Sequence, residues 1–159
     1  MLTNPDNKAN ITFVNILLTG LLAGTLDAIA AVVWNYKIKA VIIFQFIASG
    51  VFGKAAFAGG ADMVLWGLLF HYTIAMIFTA AFYLAYPLFY SIFRNKYIVG
   101  VEFGLLTWMI MNLIVVPLSK IGHGPHKLGA ILSGMIILII CIGLPVALIA
   151  DKVKRSRKS

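Results

Sequence analysis

Long apolar runs, broken by short polar or glycine-rich stretches, set the rhythm of this chain. The first extends from about Ile11 to Trp34. As a helix it is roughly 36 Å long, enough to cross a hydrocarbon layer of about 30 Å with some tilt. Between Lys39 and Lys54 lies AVIIFQFIASGVFG, residues 40–53. This uncharged stretch is too short to cross comfortably and predicts a re-entrant or interfacial helix. KAAFAGGAD then breaks the pattern and leads to Asp62, suited to a helix N-cap or first-turn acid. From Met63 to Phe93 the chain stays apolar for longer than one membrane thickness. A second span is predicted over 63–86, followed by an interfacial extension carrying Pro87, Phe89 and Tyr90. After the basic turn RNK a third span is predicted over 97–116, stopped by Pro117. After SKIGHGPHK a fourth is predicted over 128–150, where Pro145 predicts a kink. None of these runs alternates with period two, so a β-barrel is not expected. The predicted fold class is all-α: a polytopic membrane helical bundle of four transmembrane helices, with the short helix between the first and second. It forms one domain over 1–159, ending in a basic tail, 151–159.

Composition places that bundle in lipid. With 62% hydrophobic and 11% charged residues, the chain has too few charges to cover a water-soluble globule, whose charged fraction is about 25%. The net charge of +8 would suit nucleic acid, but the tail DKVKRSRKS directly follows an uncharged run, the pattern of a cytoplasmic membrane anchor. No nucleic-acid partner is expected; contact with anionic lipid headgroups by the tail is, at about 1 kcal/mol per basic residue. For four spans, Lys8, Arg94, Lys96 and the tail's Lys152, Lys154, Arg155, Arg157 and Lys158 fall on the side of the termini. Lys37, Lys39, Lys54, Lys120 and Lys127 fall opposite. The bias predicts both termini in the cytoplasm. The first apolar run resembles a signal peptide around Ala28 to Ala30, but its thin basic flank and Asp27 favour an uncleaved span. The single Cys141 excludes an intrachain disulfide and a cysteine-based zinc site.

Polar residues inside the spans are the candidate chemistry. On a helix, Gly20, Gly24 and Asp27 fall within a stripe about 60° wide, suited to a neighbouring helix and not to lipid. Gly67, His71, Ala75 and Thr79 ascend the second span in four-residue steps, and Gly100 and Gly104 form a GxxxG pair on the third. These glycines are predicted helix-packing positions, and faces of this kind permit a homodimer or docking into a larger membrane complex. Converted to depth, Asp27, His71 and Asn112 lie about 10, 13 and 8 Å from one surface. An ionisable group in mid-membrane costs about 2.5–3.5 kcal/mol, so each should find a partner or water. Asp27, His71 and Asn112 are therefore expected to converge, joined by Gln45 if its segment dips inward, with the imidazole donating to the carboxylate. Glu102 lies near the other surface and is expected to pair with Arg94 or Lys96. Two readings of the cluster stand: a binding or proton-handling site, or an inert hydrogen-bonded clasp in a structural or accessory subunit.

His123 and His126, three apart in GHGPH, are weak metal candidates, because two imidazoles without a third ligand do not make a zinc site. His71 has no second buried histidine to complete a haem, and no cofactor is expected. No G-x-S-x-G, H-E-x-x-H or phosphate loop is present, leaving an intramembrane enzyme as the third reading. The fragments GLLAGTLD, FIASGVFGKAAFAGG, GLLFH and MNLIVVPLS, spread over residues 18–119, together resemble small uncharacterised bacterial integral membrane proteins with about four hydrophobic segments. The resemblance implies a bacterial inner-membrane location and no particular activity.

Overall fold

The computed structural model describes residues 5–125 and 127–156, with the side chains of 13–125 and 127–155. Every regular element among the described residues is helical. Helix α1 is Pro5–Trp34 and α2 is Ala40–Phe52, followed by a 3-10 turn, Gly53–Phe57. Helix α3 is Ala61–Phe93. Helix α4 runs Lys96–Ile110, passes through a π turn at Met111–Val115 and ends at Val116–Leu118. Helix α5 runs Leu128–Leu138, passes through a second π turn at Ile139–Gly143 and continues over Leu144–Ser156.

Among the described residues five helical stretches are long and apolar enough to cross a membrane: Phe13–Trp34, Ala40–Phe57, Ala61–Phe93, Lys96–Leu118 and Leu128–Arg155. Their surfaces agree with that composition. On α3 the inward residues are Gly67, Ala75, Thr79, Phe82 and Tyr86, while Leu65, Leu69, Ile77, Leu84 and Leu88 point out, Leu84 being 83% exposed. The outward face is the more aliphatic one, the reverse of a water-soluble helix.

Side-chain contacts fix the directions of the helices. Thr19 Oγ1 meets the Tyr83 hydroxyl at 3.1 Å and Thr25 Oγ1 meets the Tyr72 hydroxyl at 3.0 Å, so α1 and α3 run antiparallel. Gly24 allows the closeness, because a Cβ there would lie 3.1 Å from both the Ala75 Cβ and the Tyr72 ring. Gly20 packs against Met76 of the same helix. On α4, Gly100 faces Gly143 and Leu144, Gly104 faces Ile139, and Trp108 faces Gly134, an antiparallel crossing of α4 and α5. A Cβ on Gly104 would sit 2.5 Å from the Ile139 Cα, so only glycine admits this approach.

The ends of α1 and α4 and the starts of α3 and α5 therefore share one end of the bundle, here the loop end. Helix α2 leaves and returns there. The Gly50 carbonyl accepts from the Lys120 backbone N–H at 2.9 Å, and Gly67 of α3 takes the Phe44 backbone in direct contact. Gly53, at φ 65°, breaks the stretch 40–57 into two pieces, and α2 alone rises only about 20 Å.

Three boundaries differ from the sequence-based expectation. Helix α3 does not stop near Tyr86 but continues through Pro87 to Phe93, where Arg94, in the left-handed region at φ 51°, ends it. Nor does Pro117 stop α4. Each π turn ends two residues before a proline, Pro117 or Pro145, and accommodates the missing N–H and ring bulk of that proline. Finally, α5 extends to Ser156, so residues 151–156 of the expected tail are helix.

The core lies toward the other end, around Phe82, Tyr86, Val99, Phe103 and Val146, with the Phe82 and Phe103 rings 4.0 Å apart.

Candidate functional site at Asp27

Above that core, toward the loop end, α1, α3, α4 and α5 separate around a cavity of about 420 Å³. It falls within the usual range for small-ligand sites, about 300–1,000 Å³. Asp27, His71 and Asn112 all line it. It reaches from Pro125 in the loop before α5 down to Ile142, and α2 closes over one side with Phe46 and Ile47. Its remaining walls are mostly apolar, with Phe78 and Trp108 the large aromatics.

The three polar side chains share the cavity without bonding to one another. His71 Nε2 lies 2.8 Å from the Gly24 carbonyl. A carbonyl only accepts, so this nitrogen carries the proton and donates across to α1. The expected imidazole-to-carboxylate hydrogen bond is absent, because a backbone carbonyl exposed by the Gly24 contact takes the proton first. Asp27 is within electrostatic reach of His71. Among the described residues its carboxylate has no hydrogen-bond or ion-pair partner. Asn112 sits in the π turn, where its Nδ2 donates to the Trp108 carbonyl at 2.9 Å. Its Oδ1 lies against Gly124, where a Cβ would approach to 3.3 Å.

Gln45 stands apart. It is 8% exposed and donates at 2.6 Å to the Gly59 carbonyl, tying α2 to the break before α3. Thr107 is the residue that sequence reasoning missed. It lines the cavity, is 1% exposed, and its Oγ1 has no hydrogen-bond partner. On a regular α-helix Thr107 and Asn112 are about 140° apart, so helical periodicity assigns them to different faces. The π turn between them changes that relation.

A second polar centre lies at the opposite, basic end. Asp151, 5% exposed, accepts from the Tyr86 hydroxyl at 3.2 Å and pairs with Arg155 Nε at 2.9 Å and Lys96 Nζ at 3.7 Å. Lys96 thus turns to Asp151 and not to Glu102. The Lys154 ammonium lies 5.6 and 5.2 Å from the centroids of the Tyr86 and Tyr90 rings.

Among the described residues no group of three or more His, Cys, Asp or Glu could hold a metal ion. His123 lies in the loop 119–127, and His126 lies outside the described residues. No family model, curated protein or solved structure matches the chain.

Proposed function

We propose that this chain is a bacterial inner-membrane protein that binds and handles a small solute or ion at the Asp27 cavity. The supporting observation is a carboxylate without a partner among the described residues, facing a space large enough for a ligand. A carboxylate retained only to clasp helices would be saturated by their donors, because each unmade bond in a low-dielectric interior is costly. Here the clasp between α1 and α3 is made by other groups, His71 on the Gly24 carbonyl and the two threonine–tyrosine pairs.

In this reading α1, α3, α4 and α5 cross the bilayer and α2 is re-entrant. The return of α2 to its starting end, its length and the break at Gly53 support four crossings. The basic residues gathered at the end of Lys96 and the α5 tail favour cytoplasmic termini there. The cavity then belongs to the outer half. Single cysteines at Lys37, Phe57, Arg94 and Lys127, in a Cys141→Ser background, test this topology. Impermeant reagent added outside should label 37, 57 and 127 and leave 94 untouched; labelling of 57 from the inside alone would overturn it. Function is tested by Asp27→Asn in cells. Loss of a measurable flux or growth phenotype at unchanged protein abundance is expected, whereas a phenotype that merely follows reduced abundance would return the site to a structural role.

A further inference from the structure

Resting on that reading, we propose that the cavity takes a monovalent organic cation, an ammonium head carrying an apolar body. The inference starts from the charges and hydrogen-bonding groups that line it. Among the described lining residues Asp27 is the one acid, and there is no lysine or arginine. The Nε2 proton of His71 is held by Gly24 and one of the two Asn112 amide hydrogens by the Trp108 carbonyl. Three groups remain that accept or can accept: the Asp27 carboxylate, Asn112 Oδ1 and the unpartnered Thr107 Oγ1. With one carboxylate and no cationic side chain, such a set suits a positively charged head; the neutral donors in the lining, the second Asn112 amide hydrogen and the Trp108 indole N–H, bring no charge to balance an anion.

The walls narrow the class further. Phe46, Phe78 and Trp108 present rings, and Ile137 and Leu138 complete an apolar surface. Aromatic faces attract a cation by about 0.5–2 kcal/mol, most strongly when it is desolvated. A hard metal ion requires six or more oxygen ligands or its own water shell, which this lining does not replace. A bare proton requires a carboxylate but no cavity of this size. The ligand chemistry that uses both features is a positive nitrogen at Asp27 and Thr107 with hydrocarbon filling the remainder.

The test uses benzyltrimethylammonium and its uncharged isostere neopentylbenzene, measured by equilibrium dialysis against the full chain in lipid nanodiscs, with empty nanodiscs subtracted. The cation should bind saturably, and Asp27→Asn should weaken it at least about tenfold, the loss expected when one desolvated charge contact is removed. For phenethylammonium, whose N–H donors the trimethylated probe lacks, Thr107→Val, nearly isosteric, should weaken binding about threefold. The neutral isostere should bind more weakly than the cation and be indifferent to Asp27→Asn. Equal binding of the two probes, or a cation affinity unchanged by Asp27→Asn, overturns the cation class while leaving a ligand cavity in place. Absence of saturable binding by the cation overturns it as well. Should Asp27→Asn fail to fold, an unchanged phenethylammonium affinity in Thr107→Val overturns the proposal and the threefold loss supports it. Failure of the functional reading registers elsewhere, in the cellular Asp27→Asn experiment, which uses none of these probes.

Discussion

Asp27 and Asp151 are both helix-borne aspartates facing the interior of the bundle, and they are treated oppositely. Asp151, near the basic end, is enclosed and satisfied by a tyrosine hydroxyl, a guanidinium and an ammonium drawn from α3, α5 and α4. Asp27, near the loop end, has no partner among the described residues and borders open space. Burial of a charge is tolerable when its counter-charges and donors come with it, and costly otherwise. One carboxylate therefore holds three helices together, and the other is held by them at a cost in stability. An unsaturated group that persists in a packed scaffold is a hallmark of a binding site.

The largest expected effect comes from breaking the saturated site. Asp151→Asn should destabilise the protein by about 2–3 kcal/mol in reversible unfolding in bicelles, since it removes the charge that Arg155 and Lys96 pair with and leaves one accepting oxygen where there were two. The lower end of the range for broken buried pairs applies because Arg155 and Lys96 retain access to solvent. An unchanged stability would erase the contrast between the two aspartates. Tyr86→Phe removes only the hydroxyl from the same centre and should cost about 1 kcal/mol in the same assay, with the ring packing against Phe82 kept.

How much of this was legible differs by region for the same physical reason that the two sites differ. The long runs, and the depths of Asp27, His71 and Asn112, follow from helix rise and hydropathy alone, and those residues now line one cavity. The spacing of Gly100 and Gly104 was readable, but their counterpart, Gly143, sits inside a π turn that no regular period describes. The same irregularity hid Thr107. An apolar run longer than one membrane thickness places the end of the second span near Tyr86, but within a packed bundle neighbouring groups tolerate the hydrogen bond lost at Pro87 and α3 continues as one helix. Asp151 opened a run of basic residues and therefore read as the start of a tail. Its burial depends on Tyr86 and Lys96, distant in sequence and brought close only by the α3, α4 and α5 packing.

At the unsaturated site the sign should reverse. Asp27→Asn replaces an unpartnered ionisable group by a neutral amide, and stability should stay level or rise by up to about 2 kcal/mol. Thr107→Val, which removes a buried hydroxyl with no partner, should likewise be neutral or stabilising by up to about 1 kcal/mol. Substitutions that stabilise the fold while weakening ligand binding are the behaviour of a site kept for function. A loss above about 2 kcal/mol in Asp27→Asn would instead assign Asp27 the same role as Asp151.

The smallest effect is expected within the saturated centre itself, and it separates the contributions of its two cations. Arg155 is 68% exposed and stands four residues from Asp151 on α5, a surface pair that salt screens. Lys96 is 31% exposed and reaches Asp151 from a different helix, so its charge is screened less. Arg155→Gln should therefore lower stability less than Tyr86→Phe does, and the difference from the parent should shrink toward zero at about 1 M salt, where the screening length is about 3 Å. Lys96→Met should retain most of its effect at the same salt. If both respond to salt alike, Asp151 is wetter than its exposure implies, and the distinction between a closed aspartate at one end and an open one at the other loses its electrostatic basis.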